Sequence, residues 1–119
     1  MTKIILGQKG EQLVVDYLLA DGFVIRARNY RQRCGEVDII AERDDLLVFV
    51  EVKLRQQRYF DLSEVITPGK QRRIIMATKD YMMRNRVEDR ICRFDVALVE
   101  TSLGEPKIDY IPNAFVEEW

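Results

Sequence analysis

The chain predicts a small α/β domain built on a mixed sheet. Three observations carry that expectation. It has 119 residues, which suits one hydrophobic core. Its composition is 47% apolar and 33% charged, that of a chain able to bury a core while staying wet outside. Its hydrophobic period switches from helical to alternating and back, in the order α-β-β-β-α-β-β.

The elements follow in sequence. Gly7 to Asp21 is predicted to be a helix, with Val14, Val15, Tyr17, Leu18 and Leu19 as its apolar side and Gly22 as its stop. Phe23 to Arg28 reads as a strand, and the polar stretch Asn29 to Gly35 as a turn. Val37–Ala41 and Leu46–Lys53 read as two strands joined through Glu42, Arg43, Asp44 and Asp45, a hairpin without the usual Asn-Gly or Asp-Gly signal. Tyr59 to Ile66 reads as a loop. Thr67-Pro68 is a helix start, a capping hydroxyl followed by proline, and that helix runs to about Arg84 on Ile74, Ile75, Ala77, Thr78 and Tyr81. Phe94–Glu100 and Ile108–Ile111 are strands, with a turn from Gly104 to Pro106 between them. No repeat, low-complexity tract or linker divides the chain, so one domain over residues 1–119 is expected.

Composition also excludes chemistries. The sequence contains no histidine. That removes Ser-His and Cys-His nucleophile pairs and most catalytic zinc sites. Any catalysis must come from carboxylates, lysine and a hard, oxygen-seeking metal. Cys34 and Cys92 lack a metal-type or paired spacing and are expected as free thiols. No run approaches the roughly 20 apolar residues of a membrane-spanning helix. The amino end Met1-Thr2-Lys3-Ile4 lacks an export pattern, so the expected location is the cytoplasm, with no membrane partner.

The net charge of −1 hides a strong asymmetry. Residues 26–93 hold 16 of the 19 basic and 11 of the 20 acidic residues, a local surplus of positive charge. Arg26, Arg28, Arg31 and Arg33 form one cluster, Lys53, Arg55 and Arg58 a second, and Lys70, Arg72 and Arg73 a third, with Tyr30 and Tyr59 interleaved. Such stretches can grip phosphates, although solvated surface charge is their commonest role.

Acids occupy inward positions inside this basic region. A two-residue Asp44-Asp45 turn pairs hairpin positions whose numbers sum to 89, so Asp38 lies opposite Glu51. Alternation puts Asp38 on the face of Ile40, and Glu51 and Lys53 on the face of Phe49. Opposed carboxylates are destabilising unless a proton or cation sits between them. A slip of one residue would separate the two acids, so the inference depends on register. Glu11 lies on the helix side carrying Val14, Val15 and Leu18, where an unpaired charge is costly. Gly7 and Gly10 would let that helix end approach backbone or ligand closely. Each residue has a plainer role open to it: a surface ion pair for Glu51 and Lys53, a loop cap for Asp38, a dipole contact for Glu11. Together they suit Mg²⁺ or Mn²⁺ in an oxygen-only site.

Gly7-x-x-Gly10-Glu11, Asn29-Tyr30-Arg31, Gly35-Glu36-Val37-Asp38-Ile39-Ile40-Ala41 and Val48-Phe49-Val50-Glu51-Val52-Lys53-x-Arg55 resemble the YraN-type family of small bacterial proteins. The likeness continues through Lys70, Arg73, Arg93-Phe94-Asp95-Val96 and Asn113-Ala114-Phe115. That family resembles the archaeal Holliday-junction resolvases and, more distantly, the PD-(D/E)xK nucleases. The resemblance implies a restriction-endonuclease-like fold and a metal-dependent endonuclease acting on DNA. In that pattern Asp38 is the superfamily's aspartate, Glu51-x-Lys53 its Glu-x-Lys element and Glu11 the helix carboxylate of the resolvase branch. Val37 replaces the usual proline, Asp45 an expected turn glycine, and Tyr110 a histidine found in many relatives.

The resemblance implies roles. Asp38, Glu51 and the Val52 carbonyl would hold Mg²⁺ or Mn²⁺, Glu11 would bind a second ion or orient water, and Lys53 would serve the attacking water and the phosphate's charge. Arg31, Arg33, Arg55, Lys70 and Arg73 would hold nucleic-acid backbone. Gln71 shares a helix face with Ile74, Ile75 and Thr78, so its amide could reach the sheet. Resolvase-like relatives work as two-fold dimers, making a homodimer an open expectation. The rival readings are a nucleic-acid-binding module that does not cut, and an adaptor that binds metal for stability alone.

Overall fold

The computed structural model describes residues 3–55, 62–101 and 104–117, residues 3–6 by backbone only. Arg58, Tyr59 and the start of the expected loop lie outside the described residues. The elements are α1 (Lys3–Ala20), β1 (Val24–Gln32), β2 (Gly35–Arg43), β3 (Leu46–Arg55), α2 (Leu62–Val65), α3 (Pro68–Arg84), β4 (Ile91–Glu100) and β5 (Lys107–Phe115). Among the described residues five strands form one sheet in the order β1-β2-β3-β4-β5. Only β3 and β4 run parallel, joined by the crossover through α2 and α3. This is the mixed sheet flanked by helices that the periodicity predicts, and it is compatible with a nuclease-like fold.

Helix boundaries follow local chemistry. Gly22 ends α1 at φ +87, and Phe23 N–H closes back on the Leu18 carbonyl at 3.0 Å. At the start of α3, Thr67 Oγ1 accepts from the Lys70 N–H at 3.3 Å, with Pro68 in the first helical position. The sheet is buried on both faces. Ile39, Ala41, Val48 and Val50 pack under Val14, Val15 and Leu18 of α1. Ile40, Leu47 and Phe49 pack under Ile74, Ile75, Ala77 and Tyr81 of α3. Burying each such aliphatic or aromatic side chain stabilises the fold by roughly 1.5–3 kcal/mol.

Several element boundaries need correction: α1 starts at Lys3 rather than Gly7, β4 at Ile91 rather than Phe94, and three further stretches change. Asn29 to Gly35 is not a turn: β1 runs to Gln32, and the reversal is confined to Arg33-Cys34, because pairing with β2 satisfies the backbone of this polar stretch. The loop before Thr67 contains the single turn α2. The last strand reaches Lys107–Phe115 rather than ending at Ile111.

Simple alternation also fails within β1 and β2. Arg28 and Asn29, successive residues, both bond to α1, whereas Tyr30 turns to Asp80 and Tyr81 of α3. Opposite them, Val37 packs in the α3 core and Ile39 in the α1 core, although two residues apart in one strand should share a face. The pairs Arg28↔Ile39 and Tyr30↔Val37 keep one register across this point. Both strands therefore switch faces together, at Asn29 and at Asp38. Asn29 makes the switch through a left-handed backbone, φ 53.

Candidate active site

The face switch delivers Asp38 to a fork in the sheet. The β2–β3 ladder runs from Arg43↔Leu46 to Ile39↔Val50, every pair summing to the value expected for an Asp44-Asp45 turn. Asp44 supports that turn in a left-handed conformation, φ 55. Past Val50 the strands part, and Asp38 Oδ2 accepts the Val52 N–H at 2.8 Å in place of the next backbone bond. Alternation predicts Asp38 on the face of Ile40, and the switch overturns that expectation. Asp38 instead lines a cavity of about 520 Å³ on the α1 side, with Gly7, Gln8, Glu11, Asn29, Arg31, Val52 and Leu54.

Glycines set the approach of α1. A Cβ on Gly10 would lie 2.2 Å from Leu54 Cδ1, so a side chain here would have to displace the end of Leu54, whereas glycine packs the helix against it directly. One turn earlier, a Cβ on Gly7 would meet nothing within 4 Å, and this residue opens the cavity. Val14, Val15 and Leu18 are buried, and Glu11 on the same side is carried inward with them, its side chain 13% exposed. Its Oε1 accepts from Arg28 Nε at 3.1 Å and from Asn29 Nδ2 at 3.2 Å.

Glu51 approaches Asp38 from the α3 side. It lines a smaller hollow of about 130 Å³ with Glu36, Lys70, Arg73 and Ile74. Lys70 Nζ lies 3.7 Å from Glu51 Oε1. A Cβ on Gly35 would sit 1.8 Å from the Arg73 carbonyl oxygen, so a glycine in β2 brings this turn of α3, with Lys70 and Arg73, against the sheet.

The electrostatics mark the junction as unsatisfied. Burial, and then the adjacent Asp38 carboxylate, push Glu51 up to about 7, with Lys70 opposing. Burial likewise raises Asp38, against the Val52 N–H, which favours its charged form. Lys53 is held below the usual lysine range by burial and by the neighbouring Lys70 and Arg55 cations. Two partly buried carboxylates in electrostatic contact, with the Val52 backbone beside them, offer an all-oxygen donor set of the kind Mg²⁺ and Mn²⁺ take. Among the described residues no three carboxylate or thiol groups converge to cage an ion unaided, so water must complete any coordination shell.

The structure thus brings Asp38, Glu51 and Lys53 into mutual electrostatic range and places Glu11 in the same cavity as Asp38. The other expected residues divide. Arg31 lines the cavity and pairs with Glu36 at 3.5 Å, while Lys70 and Arg73 flank Glu51. Arg55 is half-buried beside Lys53. Arg33 is exposed in the β1–β2 turn, away from both hollows. Gln71 does not reach the carboxylates, since its Nε2 donates to the Ile66 carbonyl at 3.3 Å. Gln8, Arg28 and Asn29 were not among the expected site residues. Arg28 belongs to the first basic cluster and Asn29 to a family motif, but the expected strand ends at Arg28 and the expected turn begins at Asn29, and that division hides their shared aim at Glu11.

No helix among the described residues is long and apolar enough to cross a membrane. The model of the uncharacterised protein family UPF0102 matches residues 10–99, from the middle of α1 through nearly all of β4. A UPF0102 protein of Dichelobacter nodosus is 43% identical over 108 residues, 90% of this chain and 86% of the relative. One of Symbiobacterium thermophilum is 44% identical over 112 residues, 92% of this chain and 95% of the relative. One of Clostridioides difficile is 40% identical over 110 residues, with the same coverage of 92% and 95%. These matches bear out the family resemblance carried by the motifs, and the chain belongs to the UPF0102 family.

Proposed function

We propose that the protein is a metal-dependent endonuclease that hydrolyses phosphodiester bonds in DNA, branched or single-stranded forms being the first to test. The observation that carries the reading is the Asp38–Glu51 junction: two carboxylates pressed together at a forked hairpin, ringed by Lys53, Arg55, Lys70 and Arg73. Structural acids are seldom left in mutual repulsion, whereas sites that bind cations and phosphates need that arrangement.

Asp38, Glu51 and the Val52 carbonyl would hold Mg²⁺ or Mn²⁺. When bound, the ion supplies neutralising charge beside the phosphate and makes bound water more acidic. The chain's own groups do the rest. Lys53 faces the junction with a lowered proton affinity, suited to orienting the attacking water and to countering charge that grows on the phosphate. Glu11, held by Arg28 and Asn29, can orient water across the cavity from Asp38. Arg31, Arg55, Lys70 and Arg73 hold backbone phosphates on both flanks, so affinity should fall with added salt.

The test is a panel of labelled junctions, flaps, duplexes and single strands incubated with Mg²⁺ or Mn²⁺. Cleavage that needs the ion, and that drops at least about 100-fold in Asp38→Asn, Glu51→Gln and Lys53→Ala, is expected. Hydrolysis indifferent to Lys53→Ala and Asp38→Asn would overturn the assignment. One observation favours a second reading, a module of the same fold that binds nucleic acid without cutting. Glu11 spends its Oε1 on Arg28 and Asn29 rather than on a metal site. That module would retard DNA in chelator and cleave nothing.

A further inference from the structure

We infer that Asn29 is a positioning residue of the site, acting through Glu11. The inference rests on the endonuclease reading and deepens it by assigning a task to a residue outside the carboxylate and lysine set.

Asn29 does two separable things. Its backbone holds φ 53 within a strand, a region where an L-residue with a β-carbon is strained and asparagine is among the side chains that tolerate it best. Strain of this kind persists where the surrounding fold demands it, and it gathers at functional sites. Here the demand is visible. The left-handed residue sits opposite Asp38, the point at which β1 and β2 change faces together. Without the switch, Asn29 would point to the α3 side and Tyr30 to the α1 side.

With the switch made, the Asn29 side chain enters the cavity that Asp38 and Glu11 line. Its Nδ2 donates to Glu11 Oε1 at 3.2 Å, the same oxygen that takes Arg28 Nε at 3.1 Å. Arg28 is itself tethered, its Nη1 donating to Gln12 Oε1 at 3.0 Å. Two donors on one oxygen fix the carboxylate's rotation and leave its second oxygen, Oε2, outside both bonds. A neutral amide achieves this without adding charge beside Asp38. Aspartate would share the backbone tolerance but set a third carboxylate against Glu11.

The decisive variants separate backbone from amide. Glycine adopts φ 53 freely and lacks the amide, whereas alanine loses both. Cleavage of a labelled DNA in Mn²⁺ is measured for the wild type, Asn29→Gly, Asn29→Ala, Glu11→Gln and the Asn29→Gly/Glu11→Gln pair, alongside thermal melts. Asn29→Gly is expected to lower kcat about 10–100-fold, as loss of a ligand-orienting partner does, with KM changed less than about twofold. Its melting temperature falls modestly, by the loss of one hydrogen bond, and that of Asn29→Ala falls further. In the Glu11→Gln background the same glycine costs little more, since its effect passes through Glu11. The proposal is overturned if Asn29→Gly keeps wild-type kcat, if it raises KM alone, or if its cost is undiminished without the Glu11 charge. Should the wild type cleave none of the DNA panel, it is the endonuclease reading that fails. The Asn29–Glu11 link is then decided by the melts: non-additive shifts in the pair sustain it, additive shifts end it.

Discussion

Two inward carboxylates on strands of the same sheet are treated in opposite ways by this fold. Asp95 of β4 is fully buried and fully answered. Arg93 Nε and Nη2 each donate to it at 2.9 Å, the Asn113 N–H at 2.9 Å and the Tyr110 hydroxyl at 2.5 Å. Asp38 of β2 receives one backbone N–H and faces another acid, Glu51, whose own cation is Lys70 at 3.7 Å. The donors around Asp95 leave no room for a guest charge. Those around Asp38 and Glu51 leave a surplus of negative charge beside two hollows. The contrast separates a carboxylate that holds the sheet together from a pair that holds itself ready for a cation.

The comparison breaks most readily at Asp95. Replacing it with alanine strands a partly exposed guanidinium, a hydroxyl and a backbone N–H, and breaking a charge pair with one buried partner in this way costs up to about 3–5 kcal/mol. Domains of this kind have roughly 5–15 kcal/mol in total. Asp95→Ala should therefore lower the urea midpoint severely or prevent folding, and Asp95→Asn should do so less, because the amide retains an acceptor. A cost below about 1 kcal/mol in urea titrations would erase the distinction between the two acids.

Glu51→Gln should do the reverse. At pH 8 it removes a charge whose pKa the fold raises to about 7, and stability should rise by up to roughly 3 kcal/mol, about 1.4 kcal/mol for each pKa unit of that shift. The same substitution is expected to abolish cleavage. Asp95 variants lose stability and activity together, and Glu51 variants trade one for the other. An unchanged or lowered midpoint in Glu51→Gln at pH 8 would place Glu51 with Asp95 as a structural acid.

The pH profile sharpens the same point. Glu51 has a folded value near 7 and an unfolded value of about 4.3. Between those values the folded state binds more protons than the unfolded state. Stability from this group is thus full below about pH 4.3 and is lost as pH rises through 7. Asp38, also raised, acts in the same direction. Melts from pH 4 to 8 should show the wild type losing stability relative to Glu51→Gln, with the difference shrinking steadily toward pH 4. Added Mn²⁺ should restore the wild type at pH 8 and leave the variant unmoved.

Legibility in the sequence follows the range of the interactions. The nearness of Asp38 to Glu51 is readable because a tight turn at Asp44-Asp45 fixes the register as far as Ile39↔Val50. The expected opposition on one face is not kept: the strands part there and the two acids meet from opposite sides of the sheet. Glu11 is readable because helix geometry ties it to Val14, Val15 and Leu18. The face switch is not readable: a left-handed asparagine between Arg28 and Tyr30 in a polar stretch has the composition of a turn, and only pairing with β2 converts it into strand. Nor are the partners of Asp95 readable. Tyr110 and Asn113 lie 15 and 18 residues away and meet it only through the β4–β5 register shift near Phe94 and Val96. Local rules locate residues on faces, and tertiary pairing decides which faces continue.

Tyr110 gives the smallest expected effect and the finest probe of the comparison. Its hydroxyl donates to Asp95 Oδ2, its ring stacks on Tyr17 at 5.0 Å, and burial followed by the Asp95 carboxylate raises its ionisation far above the ordinary range. Tyr110→Phe keeps the ring and its stacking while removing one donor. Asp95 retains both Arg93 bonds and the Asn113 N–H, so the loss should be about 1 kcal/mol, that of a single hydrogen bond. Cleavage should be unaffected, because Tyr110 serves Asp95 and does not line the cavity beside Asp38. If Tyr110→Phe instead lowers cleavage while the urea midpoint barely moves, the β4–β5 network reaches into the site. The division between a holding carboxylate and a waiting pair would then have to be redrawn around the tyrosine.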